Sequence, residues 1–163
     1  MARRREPKNP KSCHDRALGL LAVRPRSRRE LERRLLRAGF EPAEVRDVLQ
    51  RLERVGLIDD EAFARQYAEH RFGVRREGSR AVVSGLRAAG IAPSLAAAAS
   101  EEASDDEEAR AGALARSRAS RLTGVEPARA FSRLTSLLMR RGYGPEIARR
   151  AARQALELPL HED

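Results

Sequence analysis

Arginine is the residue type through which this sequence is best equipped to do chemistry. Of 33 basic residues, 31 are Arg. A guanidinium forks onto a carboxylate or a phosphate with two parallel hydrogen bonds. Three groups stand out. Arg28, Arg29, Arg33, Arg34 and Arg37 surround the apolar positions Leu31 and Leu35. Arg71, Arg75, Arg76 and Arg87 form a second group, and Arg140, Arg141, Arg149, Arg150 and Arg153 a third. Each group reads either as a solvated polar face or as a contact surface for an acidic groove or an exposed phosphate backbone. If phosphates are involved, binding should weaken steeply with salt.

Other chemistries lack their residues. The one cysteine, Cys13, excludes an internal disulfide and a Cys-based zinc site. His14, His70 and His161 have no ligand spacing. There is no Gly-x-x-x-x-Gly-Lys-Ser/Thr loop to cradle a nucleotide and no Ser–His–Asp ordering. The pair Asp59 and Asp60 could in principle hold a metal or move a proton, but carboxylates there also suit a helix N-terminus. The expectation is a binding protein with no catalytic residues, no metal and no cofactor.

The net charge of +9 is unevenly spread. Residues 1–30 and 109–163 are strongly basic, whereas residues 101–108 hold six acids and no base. Such a balance suggests nucleic acid, or a partner that works on it. A GC-rich genome also favours Arg over Lys, but that does not account for the net sum. No apolar run approaches the ~20 residues of a membrane span, and no apolar segment follows the basic N-terminus as a secretory signal requires. A cytoplasmic protein is expected.

The elements that position these arginines follow from an internal repeat. Gly39-Phe40-Glu41-Pro42, Gly90-Ile91-Ala92-Pro93 and Gly142-Tyr143-Gly144-Pro145 share the pattern Gly, large apolar, any residue, Pro, at steps of 51 and 52 residues. Gly past a helix end takes a left-handed cap without Cβ strain. Pro suits the first turn of the next helix. Leu31 and Leu35, Val82 and Leu86, and Leu134 and Leu138 lie eight and four residues before the three glycines. Ser27 and Glu30 fit a capping box opening the helix before the first corner.

Ala, Leu and Arg favour helix, and β-branched and aromatic residues are scarce. The reading is all-α: three tandem three-helix repeats forming an elongated, curved array. The expected divisions are a disordered basic arm over 1–13, repeats over 14–58, 59–104 and 105–158, and a tail over 159–163. Phe63, Tyr67, Phe72 and Tyr143 sit at core spacing. The Ala-rich helix from Pro93, followed by the acidic run, buries little area and reads as a bendable joint over 93–108.

The run Arg26-Ser27-Arg28-Arg29-Glu30-Leu31, then Leu35, Gly39-Phe40, Leu52 and Val55-Gly56-Leu57-Ile58-Asp59-Asp60-Glu61-Ala62-Phe63-Ala64, resembles the bacterial RecX family. Arg71, Gly78, the segment from Leu86 to Ile91, and Leu138-Met139-Arg140-Arg141-Gly142-Tyr143 extend the resemblance over about residues 15–157. It implies tandem three-helix repeats. It also implies a negative regulator of the RecA recombinase that lies in the groove of the RecA filament on single-stranded DNA. There such a protein inhibits ATPase activity, strand exchange and filament extension. Weak direct DNA contact and a monomeric state are further expectations. The alternatives are a DNA-binding protein built from helix-turn-helix-like units and a helical scaffold for another partner.

Overall fold

Helix follows helix wherever the apolar residues recur at three- and four-residue steps. The computed structural model describes residues 11–104 and 106–158, and every regular element among them is helical. α1 spans Cys13–Val23, α2 Arg28–Arg37, α3 Pro42–Arg54, α4 Asp60–Gly73, α5 Ser79–Ala88, α6 Pro93–Glu102, α7 Glu107–Ala119, α8 Pro127–Arg140 and α9 Pro145–Ala155. One 3-10 turn, Ser120–Leu122, follows α7. The chain divides into two compact units after Phe63, within α4.

All three repeated corners adopt one geometry. Gly39, Gly90 and Gly142 have φ of 91°, 86° and 90°. The N–H of each following residue reaches back to a helix carbonyl. Phe40 donates to Leu35, Ile91 to Leu86 and Tyr143 to Leu138, at 3.4, 3.1 and 3.2 Å. This six-to-one bond is the Schellman ending, which satisfies carbonyls that the helix end leaves open. Pro42, Pro93 and Pro145 then begin α3, α6 and α9, where a missing N–H costs nothing.

In the first compact unit α1, α2 and α3 pack on one another. Leu31, Leu35, Val45, Val48, Leu49 and Leu52 form the core, with Cys13, Ala17 and Ile58 at its edges. Each fully buried Leu contributes on the order of 2 kcal/mol. Cys13, expected in the arm, is instead the first residue of α1 and fully buried. The cause is local: the Ser12 hydroxyl accepts the Asp15 N–H at 3.0 Å and starts the helix early. The rest of the expected arm, up to Pro10, lies outside the described residues, as do Asp105 and the tail over 159–163.

In the second compact unit α7, α8 and α9 enclose Leu114, Leu134, Leu138, Tyr143 and a set of alanines. α6 packs on α5, and Ala96, Ala99 and Ser100 are buried. The Ala-rich helix therefore gains contact by close approach rather than by side-chain size. Three acids at and beyond its end are engaged. Glu102 lies 3.6 Å from Arg65, Asp106 caps α7 through the Ala109 N–H at 2.9 Å, and Glu108 meets Arg150 at 2.8 Å. The expected joint thus carries ion pairs and a cap. α9 ends at Ala155, three residues before the expected end of the third repeat at 158, and Glu157 beyond it takes a φ of 54°.

Candidate arginine interface

Packing sorts the arginines into those tied down and those left facing outward. In the first compact unit Glu30 gathers three of them. Arg24 and Arg34 lie 2.6 and 3.0 Å from its carboxylate, and Arg26 also binds it. Burial alone would raise the Glu30 pKa. The hydrogen bonds from Arg34 and Arg26 and the charge of Arg24 outweigh it and hold the carboxyl below the ordinary glutamate range. Arg26 is buried and also donates to the Leu20 carbonyl at 3.0 Å, so it links the end of α1 to the start of α2. The Ser27 half of the capping box forms, with its hydroxyl accepting the Glu30 N–H at 3.1 Å.

Of the five candidates on α2, Arg28 pairs with Glu53 at 2.9 Å and Arg34 with Glu30. Arg29, Arg33 and Arg37 follow one another at four-residue steps along the exposed face. Arg33 also donates to the Arg29 carbonyl at 3.3 Å.

In the second compact unit the fold brings together residues far apart in sequence. Between α4 and α5 the chain turns through Val74, Arg75, Arg76, Glu77 and Gly78. Arg76 has a φ of 51°, in the left-handed region that a side chain disfavours. The corner after α8 holds this turn. Arg141 donates from its guanidinium to the Arg75 carbonyl at 2.9 Å, and the buried Tyr143 donates its hydroxyl to the Arg76 carbonyl at 2.8 Å. Gly78 donates to the Arg141 carbonyl at 2.9 Å and Arg80 to that of Gly142 at 3.2 Å. The backbones meet so closely that a Cβ on Gly78 would fall on Gly142 and Tyr143, and one on Gly142 would fall on Ala81.

A groove of about 340 Å³ results, walled by Arg71, Glu77, Arg140 and Arg141 and floored by Ala81, Ser84, Gly85 and Ala88. Arg71 is fixed there. It pairs with Glu77 at 2.7 Å, donates to the Tyr67 hydroxyl and stacks 4.8 Å from the Tyr67 ring centre. Burial would lower its pKa, but Tyr67 and Glu77 raise it. A second groove, of about 530 Å³, is lined by Ser79, Arg80, Val83, Ser84 and Arg87.

Arg75, Arg76 and Arg140 thus join Arg141 and Arg71 around one corner, while Arg87 belongs with Arg80 on α5. Arg80 was not among the candidates read from the sequence. Its signal was available, since Arg80 and Arg87 are seven residues apart on one helix face. The rest of the third group is engaged elsewhere. Arg149 pairs with Glu146 at 2.9 Å, Arg150 pairs with Glu108, and Arg153 lies 5.8 Å over the Phe131 ring. The aromatics behave as core residues: Phe72 and Tyr143 are buried, and Phe63 and Tyr67 are half-buried. Among the described residues no group of three or more His, Cys, Asp or Glu side chains could hold a metal ion. Among them, too, no helix is long and apolar enough to cross a membrane.

Successive helical triplets with a repeated corner and an arginine-rich surface define an all-α repeat protein. Two family matches cover the first two triplets. Residues 13–52 match RecX, first three-helix domain, and residues 59–99 match RecX, second three-helix domain. Regulatory protein RecX of Streptomyces coelicolor (strain ATCC BAA-471 / A3(2) / M145) is 36% identical over 141 residues, covering 86% of this chain and 75% of that one. Regulatory protein RecX of Mycobacterium sp. (strain JLS) is 34% identical over 148 residues, covering 88% and 81%. The crystal structure of RecX from Lactobacillus salivarius superposes with a TM-score of 0.78 at 19% identity, covering 88% of this chain and 94% of that one. A second crystal structure of regulatory protein RecX gives 0.74 at 21%, covering 83% and 67%. The chain belongs to the RecX family.

Proposed function

We propose that this protein is a negative regulator of the RecA recombinase. It binds as a monomer in the groove of the RecA filament on single-stranded DNA, in the cytoplasm, and inhibits ATPase activity, strand exchange and filament extension. The observation that carries this reading is membership of the RecX family over most of the chain. Arg29 and Arg37 on α2, Arg75 and Arg76 on the turn before α5 and Arg140 at the end of α8 are exposed, which agrees with it, since a groove-binding protein needs basic groups on its surface to meet acidic or phosphate partners.

The test is RecA ATPase activity on single-stranded DNA with this protein added. Hydrolysis should fall as the ratio approaches stoichiometric, and an unchanged rate there would overturn the reading. Alanine at Arg29, Arg33 and Arg37 together, and separately at Arg75, Arg76 and Arg140, then shows which surface makes the contact.

A further inference from the structure

We propose that Ser79 is a phosphorylation site for an arginine-directed serine kinase, and that phosphate there displaces Glu107 from the start of α5. The inference stands apart from the recombinase reading, because it concerns this protein alone.

The residues around the hydroxyl are the first ground. Arg76 and Arg75 lie three and four residues before Ser79, and Arg80 follows it. Kinases choose among substrates by such charge patterns. Spacing alone does not single out Ser79, since four serines have an arginine three residues before them. The fold separates the four. Ser27 is fully buried. Ser132 and Ser136 lie inside α8 together with their arginines, Arg129 and Arg133. Three residues rise only about 4.5 Å along a helix, against about 10 Å in extended chain, so a kinase cleft cannot read them there. Ser79 is partly exposed and is reached through the irregular turn from Val74 to Gly78, on which Arg75 and Arg76 are exposed. It also lines the groove of about 530 Å³ beside Arg80, so open space adjoins it.

The present partner of the hydroxyl is the second ground. Glu107, the first residue of α7, accepts both the N–H and the hydroxyl of Ser79. Gly78, the cap residue of α5, has no side chain to offer. The anion that this helix start favours is therefore borrowed from the next triplet. Phosphoserine carries about −1.5 to −2 charges at neutral pH and three acceptor oxygens. Attached to the first residue of α5, it takes the place that Glu107 holds and repels that carboxylate. Arg75, Arg76 and Arg80 supply it with charge-assisted donors. Phosphorylation thus exchanges a tie between α5 and α7 for one within the turn and its own helix.

The transfer itself is ordinary. The Ser79 oxygen attacks the γ-phosphorus of ATP, the bond to ADP breaks, and the hydroxyl proton passes to the kinase's catalytic carboxylate.

The test incubates the full chain with ATP and a recombinant serine kinase selective for arginine three residues before its target, and maps the phosphate by mass. Ser79 should be the main site. R75A/R76A should slow its labelling at least about tenfold, whereas R149A/R150A should leave it within about twofold. Urea unfolding then compares phosphorylated with unmodified protein. Phosphate should lower the midpoint of the unaltered chain, where Glu107 already fills the helix start. In Glu107→Ala, where that place is empty, phosphate should raise the midpoint. No phosphate at Ser79, or equal labelling of R75A/R76A, overturns the site. The same midpoint shift in both proteins overturns the displacement of Glu107.

Discussion

Glu107 accepts two hydrogen bonds from Ser79, one from its backbone N–H at 2.8 Å and one from its hydroxyl at 3.0 Å. Ser79 is the first residue of α5 and Glu107 the first of α7. The same relationship occurs earlier in the chain. Asp60, the first residue of α4, accepts the N–H of Arg28, the first residue of α2, at 2.8 Å. In both cases an acid opening one helical triplet caps the middle helix of the triplet before it. The free N–H groups and dipole of a helix start make a carboxylate favourable there. α8 departs from this pattern. It begins at Pro127, which has no N–H to give, and Glu126 caps it from within through Ala128 and Arg129.

Removing the acid should loosen this junction. Glu107→Ala is expected to cost about 1–2 kcal/mol, in the range of a lost helix cap. Glu107→Gln keeps an acceptor oxygen and should cost less. Urea unfolding measures both, and hydrogen exchange at the Ser79 amide should accelerate most in the alanine variant. An unchanged midpoint for Glu107→Ala would show that the cap contributes nothing.

The three corner glycines should not respond alike. Gly39 has open space where a Cβ would go, whereas at Gly142 the Cβ would collide with Ala81. Gly39→Ala carries only the left-handed backbone penalty of about 1 kcal/mol. Gly142→Ala adds a clash with a neighbouring backbone and should cost at least about 2 kcal/mol more, an overpacking effect. Thermal unfolding of the two variants side by side decides this, and equal losses would contradict the close approach of α5 to this corner.

Stability should fall in acid through Glu30. Its folded pKa lies below the ordinary value because Arg34, Arg26 and Arg24 outweigh the effect of burial. The carboxylate therefore favours the folded state fully above the unfolded pKa, and this contribution is lost as pH falls through the folded one. Unfolding measured across the acidic range should show a decline that is shallower in Glu30→Gln. A Gln variant with the full acid decline would mean that other carboxylates carry it.

Cys13 should resist modification in the native protein. It is fully buried in α1, and burial, reinforced by the charge of Glu44, raises its thiol pKa. Less thiolate and no access both slow alkylation. Iodoacetamide labelling followed by mass should be slow in buffer and fast in denaturant. Fast labelling in buffer would place Cys13 outside the core.

Most of the helical architecture was legible before the structure, because its signals are local. The Gly-apolar-x-Pro corners, the Ser27 cap and the leucines eight and four residues before each glycine act within a turn or two of helix. They marked all three corners and, with the run from Arg26 to Ala64, the family resemblance that the comparisons bear out. Cys13 was misplaced because an early cap at Ser12 moved the start of α1.

The arginines show where sequence stops being informative. Composition and spacing marked Arg28, Arg34, Arg71, Arg141, Arg149, Arg150 and Arg153 no differently from Arg29, Arg75, Arg76 and Arg140. Their difference lies in partners. Some, such as Glu30 for Arg34, are one helical turn away, but Glu108 and Arg150 are 42 residues apart and Arg141 and Arg75 are 66. By itself the sequence determined the helices, their corners and the family, since caps and periodicity are written into neighbouring residues. Which guanidinium groups are used up inside the protein and which face outward was decided only by tertiary structure, because an ion pair depends on what the fold brings within about 4 Å, at any separation along the chain.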